Sequence, residues 1–149
     1  MKKSIFLLAI FLLVACSPTQ ENTPKSVTTA FNAKFANAEN VKWELEKAGE
    51  WEAEFHQDGR KMSANFTEEG TWLETEIEMT KNDLPEDGLA KITEQYTDYD
   101  IKAVEGVETQ TFKGFEIEVQ KGKHTVEVLL AEDGELTVKK EKGEEDKED

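Results

Sequence analysis

Two hydrophobic periods divide this chain, one near 3.6 and one of two. Val27, Ala30, Phe31 and Phe35 recur at helical spacing and predict a short helix with one apolar stripe. Thr23 stands as its N-cap with Pro24 at the first helical position, and Asn37 and Asn40 mark its end. From Val41 the period falls to two. Val41, Trp43 and Leu45 alternate with Lys42, Glu44 and Glu46, and Trp51, Ala53 and Phe55 alternate with Glu52, Glu54 and His56. Met62, Ala64 and Phe66 form a third such run, and Thr71 to Met79 a fourth. Ala48-Gly49, Asp58-Gly59 and Glu69-Gly70 separate them, and Asp-Gly is a strong two-residue hairpin signal. The pattern predicts one helix followed by four antiparallel strands, each with an apolar and a polar face.

The recipe then recurs. Pro85 opens a second helix with Glu86 and Asp87 in its first turn, where the helix dipole favours anions, and Leu89, Ile92 and Tyr96 form its stripe. Ile101 to Glu108 predicts a weaker strand broken at Gly106. Phe115, Ile117 and Val119 follow, then Val126, Val128 and Leu130, then Leu136 and Val138, with turns expected at Gly114, Gly122 and Gly134. Phe31 is echoed by Ile92 at an offset of 61 residues; Trp51, Phe55, Phe66, Gly70 and Trp72 are echoed 64 residues later by Phe115, Val119, Leu130, Gly134 and Leu136. Self-similarity at a fixed spacing reports an architecture of stacked units. The fold class expected is α+β: two tandem helix-plus-four-strand units, copy one over 25–80 and copy two over 84–138. They would form one continuous antiparallel sheet with both helices on one face. Each unit alone is of a size at which burial is marginal, so the halves are expected to support each other. Trp72 is ambiguous. Its echo Leu136 puts it inward, whereas alternation with Leu73, Thr75 and Ile77 puts it outward, and a bulge there would reconcile the two.

The ends have a different character. Lys2 and Lys3 precede an apolar run from Ile5 to Ala15, too short to span a bilayer as a helix and built like an export signal over residues 1–15. Leu13-Val14-Ala15-Cys16 resembles the lipobox of bacterial lipoproteins, so Cys16 is the expected lipidation site and first residue of the mature chain. It is the single cysteine, which rules out an intramolecular disulfide. Residues 16–24 are polar and read as a tether, and 139–149 as a charged, disordered tail.

Charge narrows the partners. The full chain has 33 acidic residues and a net charge of −15; without Lys2 and Lys3, 16 basic residues remain and the charge is −17. Such a surface repels nucleic-acid phosphates and anionic headgroups, so contact with the membrane would run through the N-terminal lipid.

Ala30-Phe31-Asn32-Ala33-Lys34-Phe35, Asn40-Val41-Lys42-Trp43, Trp51-Glu52-Ala53-Glu54-Phe55, Met62-Ser63-Ala64-Asn65-Phe66 and Gly70-Thr71-Trp72-Leu73-Glu74-Thr75-Glu76 together resemble the PepSY-like domains grouped with the β-lactamase-inhibitor-like fold. The resemblance runs from Ser26 to Val138. It is close in the first copy and worn in the second, where Ala103 stands in the place of Trp43. It implies a tandem α+β fold on exported proteins of Bacteroidetes-type bacteria, mostly without an assigned activity. Inhibition is not implied by a fold name.

No catalytic set emerges. His56 and His124 do not correspond between the copies and read as two solvated histidines. There is no cysteine nucleophile, no Ser/His/Asp spacing and no phosphate-binding glycine loop, and no cofactor or metal is implied. Carboxylates form the one unusual array: Glu44, Glu46, Glu52 and Glu54 on the outer parity of neighbouring strands, with Glu74 and Glu76 on the fourth. Like charges facing each other across a sheet are destabilising. A basic protein partner or a divalent cation would relieve them, and a plain solvated face is the bland alternative. With Trp72 these six glutamates are the candidate partner-binding residues. The function expected is a non-enzymatic, lipid-anchored module of the cell envelope, facing the periplasm or the exterior. The alternative is a protein inhibitor of a secreted hydrolase or peptidase acting through the exposed sheet face. Paired carboxylates as acid and base form a third, weaker possibility.

Overall fold

The computed structural model describes residues 22–143. The export signal, Cys16 and most of the tether lie outside the described residues, as does the chain beyond Gly143. Two helices, α1 (Lys25–Lys34) and α2 (Glu86–Gln95), accompany eight strands: β1 (Glu39–Lys47), β2 (Glu50–Gln57), β3 (Arg60–Thr67), β4 (Trp72–Met79), β5 (Asp100–Thr109), β6 (Lys113–Lys121), β7 (His124–Ala131) and β8 (Leu136–Lys142). All eight form one antiparallel sheet in sequence order. A 3₁₀ turn at Lys81–Asp83, closed by a capping box between Thr80 and Asp83, leads from β4 into α2.

Each helix closes its own core. Val27, Phe31 and Phe35 pack on Trp43, Trp51, Ala53, Phe55, Ala64 and Phe66. Phe31 is the centre of that cluster, edge-on to Trp43 at 5.1 Å and to Phe55 at 5.0 Å between ring centroids. Ile92 and Leu84 pack on Val104, Ile117, Val119, Val126, Val128 and Leu130. The second cluster is aliphatic where the first is aromatic. The two helices are tied to the sheet in parallel ways. Ser26 Oγ donates to the Glu68 carbonyl in the β3–β4 turn at 2.6 Å, and Lys91 Nζ donates to the Gly134 carbonyl in the β7–β8 turn at 2.7 Å. The turns match bond for bond: Thr67 N–H to Thr71 O and Gly70 N–H to Thr67 O in one, Ala131 N–H to Glu135 O and Gly134 N–H to Ala131 O in the other.

Five details differ from the pattern read in the sequence. Helix α1 starts at Lys25 with Pro24 as its N-cap. Gly106 does not break β5: it pairs with Ile77 and Phe115, and the Met79 side chain covers the space a Cβ would fill. Gly114 is a strand residue rather than a turn, facing Val107 and Ala131. The residue opposite Ile117, as Trp43 is opposite Ala53, is Val104 and not Ala103. Lastly, β8 runs on to Lys142, so residues 139–142 belong to the sheet and not to a tail. Three lysines and one glutamate stand there on an edge strand, which charged side chains suit.

Candidate functional site: the acidic face of the sheet

Strand register sets the site. Glu44 stands opposite Glu52, Glu52 opposite Asn65, and Asn65 opposite Glu74. In the next row Glu54 faces Ser63, and Ser63 faces Glu76. A third row continues into the second half, Glu78 to Glu105 to Glu116. Directly paired residues share a face of the sheet. The glutamates named from the sequence are therefore brought together on one surface, joined by Glu105 and Glu116 from β5 and β6.

That surface is not a fringe of solvated carboxylates. Glu76 is 5% exposed, Asn65 1% and Glu116 9%, while Glu52 and Glu74 are half-buried and Glu44 and Glu46 exposed. Burial pushes the Glu52 carboxyl up to about 7, helped by the charges of Glu46, Glu54 and Glu44. Burial pushes Glu76 further, to about 9, with Glu105, Glu74 and Glu116 adding to it and Lys139 opposing it. Glu74 and Glu105 are raised by the same cause, burial first and neighbouring carboxylates after it. At neutral pH the middle of the face holds protons that ordinary carboxylates would have lost.

Three side chains answer part of this charge, the first of them Ser63, whose Oγ donates to Glu76 Oε2 at 3.5 Å. Asn65 Nδ2 donates to Glu46 at 2.6 Å and to Glu50 at 3.3 Å, and Glu50 also pairs with Lys47 at 2.7 Å. Lys139 reaches from β8 across β7 to donate to the Glu116 carboxylate on β6, and both side chains are largely covered. Burial alone would lower the Lys139 ammonium, but its bond to Glu116 and the charges of Glu74 and Glu76 hold it above the usual lysine range. Two acceptors stay unmatched within this network: Asn65 Oδ1 and Glu76 Oε1 are buried without a hydrogen-bond partner.

Trp72 belongs elsewhere. A register shift between Asn65 and Phe66 skips Leu73, so Glu74 faces Asn65 while Trp72 faces Phe66. The indole is half-buried against the first core, donates through Nε1 to Thr75 at 2.9 Å and carries the Lys34 ammonium 3.9 Å above its ring. His56 is exposed. His124, expected to be solvated, is bound on both ring nitrogens: Tyr99 Oη lies 2.7 Å from Nδ1 and Glu141 Oε1 lies 2.8 Å from Nε2. It fastens the end of β8 to the loop before β5. Among the described residues, no group of three or more His, Cys, Asp or Glu side chains is arranged to hold a metal ion. Nor is any helix there long and apolar enough to cross a membrane.

Sequence reasoning missed Glu105, Glu116 and Lys139. The signal existed for two of them. Glu116 alternates with the apolar Phe115 and Ile117, and Lys139 follows Val138. The tail assigned from residue 139 hid the lysine, and the weak strand around Gly106 hid the ladder that continues through Glu105.

An α+β chain with two helices and a single open sheet of eight sequential antiparallel strands is a defined class. Residues 49–138 match the family model described as "Putative beta-lactamase-inhibitor-like, PepSY-like", and the chain belongs to that family. Among solved structures it is similar to a BLIP-like protein from Bacteroides fragilis, at 27% identity and a TM-score of 0.71 over 85% of this chain and 90% of the other. A protein from Bacteroides eggerthii described as "putative periplasmic proteins" shares the fold at 19% identity and a TM-score of 0.70, over 80% of this chain and 88% of that one. A DUF2874 family protein from Bacteroides ovatus does so at 18% identity and a TM-score of 0.71, over 78% and 88%. No curated protein matches the chain.

Proposed function

We propose that this protein is a non-enzymatic module of the cell envelope, anchored by a lipid on Cys16, that uses its acidic sheet face to bind a partner. The observation that carries the binding part is the row of carboxylates held partly buried side by side on one surface, with two buried acceptors unmatched among them. A face built only for solubility keeps like charges apart and in water. The placement in the envelope is supported by the Lys2-Lys3 start, the apolar run and the Leu-Val-Ala-Cys motif. It is further supported by similarity to a protein described as periplasmic.

The halves read as tandem copies with both helices on one side of the sheet. Supporting this are the matched turn bonds, the helix-to-turn ties and the register, which carries Phe55 to Met62 to Ile77 and onward from Met79 to Val104 to Ile117 without changing face. The other side is then free of helices and carries the glutamates. Inhibition of a hydrolase has less support, because Trp72, the aromatic anchor it would use, packs with the core.

Fractionation tests the anchoring. The wild-type chain should partition with membranes and carry diacylglycerol mass at Cys16, and Cys16→Ala should move it to the soluble fraction. A soluble wild type without lipid would contradict the proposal.

A further inference from the structure

We infer that the acidic face takes a cationic side chain, a lysine or arginine presented by a protein partner, seated against Glu52, Asn65 and Glu76. This rests on the reading of that face as a binding surface and names the chemistry of what it binds.

Three observations lead there. The first is that the chain already contains one such contact. Lys139 crosses a whole strand to place its ammonium on Glu116, with Glu74 and Glu76 close enough to hold its charge in place. The second is the state of the groups further along the same face. Glu76 and Asn65 are both more than nine-tenths buried, yet Glu76 Oε1 and Asn65 Oδ1 have no hydrogen-bond partner. Both are acceptors. Asn65 has already given its amide donor to Glu46 and Glu50, and its oxygen is left unmatched between the strands that carry Glu52 and Glu74. A buried, unmatched acceptor costs free energy that an incoming N–H removes. The third is charge. Ammonium and guanidinium groups supply several donors and no acceptor, so they match a surface that lacks only donors and positive charge.

A divalent cation fits less well, since no group of three acidic or imidazole side chains among the described residues is arranged to hold one. A nucleic acid is repelled.

Protons now occupy the place of this cation. The charged groups around Glu76 are Glu74 on its own strand, Glu105 on β5, Glu116 on β6 and Lys139 on β8; those around Glu52 are Glu44 and Glu46 on β1 and Glu54 on β2. Seating a positive side chain favours the ionised carboxylates, so binding expels protons. The cation and the proton compete for one site, and affinity rises with pH between about 6 and 9.

An acetylated hexalysine amide is a suitable probe, titrated calorimetrically into the full chain at low ionic strength. Repeating the titration at pH 8 in two buffers of different ionisation heat counts the protons released. The expected result is binding that releases about one proton and weakens about tenfold in the Glu52→Gln/Glu76→Gln variant, with proton release lost. Both substitutions are near-isosteric and remove charges that burial disfavours, so the fold should persist, and a thermal melt checks this. A control of equal charge, Glu86→Gln/Glu94→Gln on the exposed side of α2, should keep affinity within about twofold. Equal weakening by the two variants would mean diffuse attraction to an acidic chain and would overturn the inference. So would the absence of binding or of proton release, or calcium binding at the face more tightly than the peptide. Loss of membrane anchoring in the Cys16 experiment would leave these titrations unaffected, so failure of either part is seen separately.

Discussion

At the scale of single residues, the buried ion pair between Lys139 and Glu116 links the edge of the sheet to the charged middle of the acidic face. Lys139→Met keeps the aliphatic stem and removes the charge, leaving the Glu116 carboxylate buried beside Glu105 and Glu74. A loss of about 1–3 kcal/mol is expected in urea unfolding at pH 7. Adding Glu116→Gln should recover much of it, because the stranded charge goes too. If Lys139→Met alone left the midpoint unchanged, the pair would be an idle surface contact. Residue identity made the glutamates visible in the sequence, since alternation alone put Glu52, Glu54, Glu74 and Glu76 on the outer parity. Their burial was not visible. Whether an outward glutamate sits in water or under its neighbours depends on what the adjacent strands present, and Lys139 arrives from two strands away.

Elements were legible where turn chemistry was strong. Asp58-Gly59 sits between β2 and β3 with both residues at positive φ, as a tight hairpin of this kind requires. Glycines with a second role were misread. Gly114 is a strand residue, and a Cβ there would lie 2.2 Å from the Leu130 carbonyl oxygen and 3.1 Å from the Ala131 Cα. It is kept small by close approach of backbone, not by a turn. Gly114→Ala should therefore destabilise the protein by about 2 kcal/mol or more, read as a lower denaturation midpoint. Gly122→Ala offers a contrast, since nothing lies within 4 Å of its Cβ position and only its positive φ of 60° resists. Equal effects of the two would contradict the crowding at Gly114. A bulge near Trp72 reconciles the two patterns read there in the sequence, and the structure has one that skips Leu73. Its position came only with the register of β3 and β4.

For the molecule as a whole, the two cores are separate clusters joined by the β4–β5 ladder, which runs from Glu74–Thr109 to Met79–Val104. Each half is about the size at which burial barely offsets chain entropy. Residues 22–80 or 84–143 expressed alone should give a broad, weak melt, and a sharp melt at the stability of the full chain would show the halves to be independent. The same ladder carries the acidic face from one half to the other, which is why the second half contributes Glu105 and Glu116. Reading each half by itself confined the charged surface to the first.

The central claim is that this face holds partly buried carboxylates whose charge the fold leaves uncompensated. Its most direct test is the thermal stability of the full chain against pH. Glu52 and Glu76 keep protons up to about 7 and about 9 in the folded state, whereas unfolded glutamates lose theirs near their ordinary value of 4.5. Between those limits the folded chain binds more protons than the unfolded one, so the stability these two groups contribute is complete below about 4.5 and falls as pH rises toward 9. The melting temperature of the wild type should drop by about 5 °C or more over that range, and Glu52→Gln/Glu76→Gln should flatten the slope and melt higher than the wild type at pH 9. A wild type whose melting temperature stayed level or rose from pH 5 to 9, or a variant that followed the same slope, would contradict it.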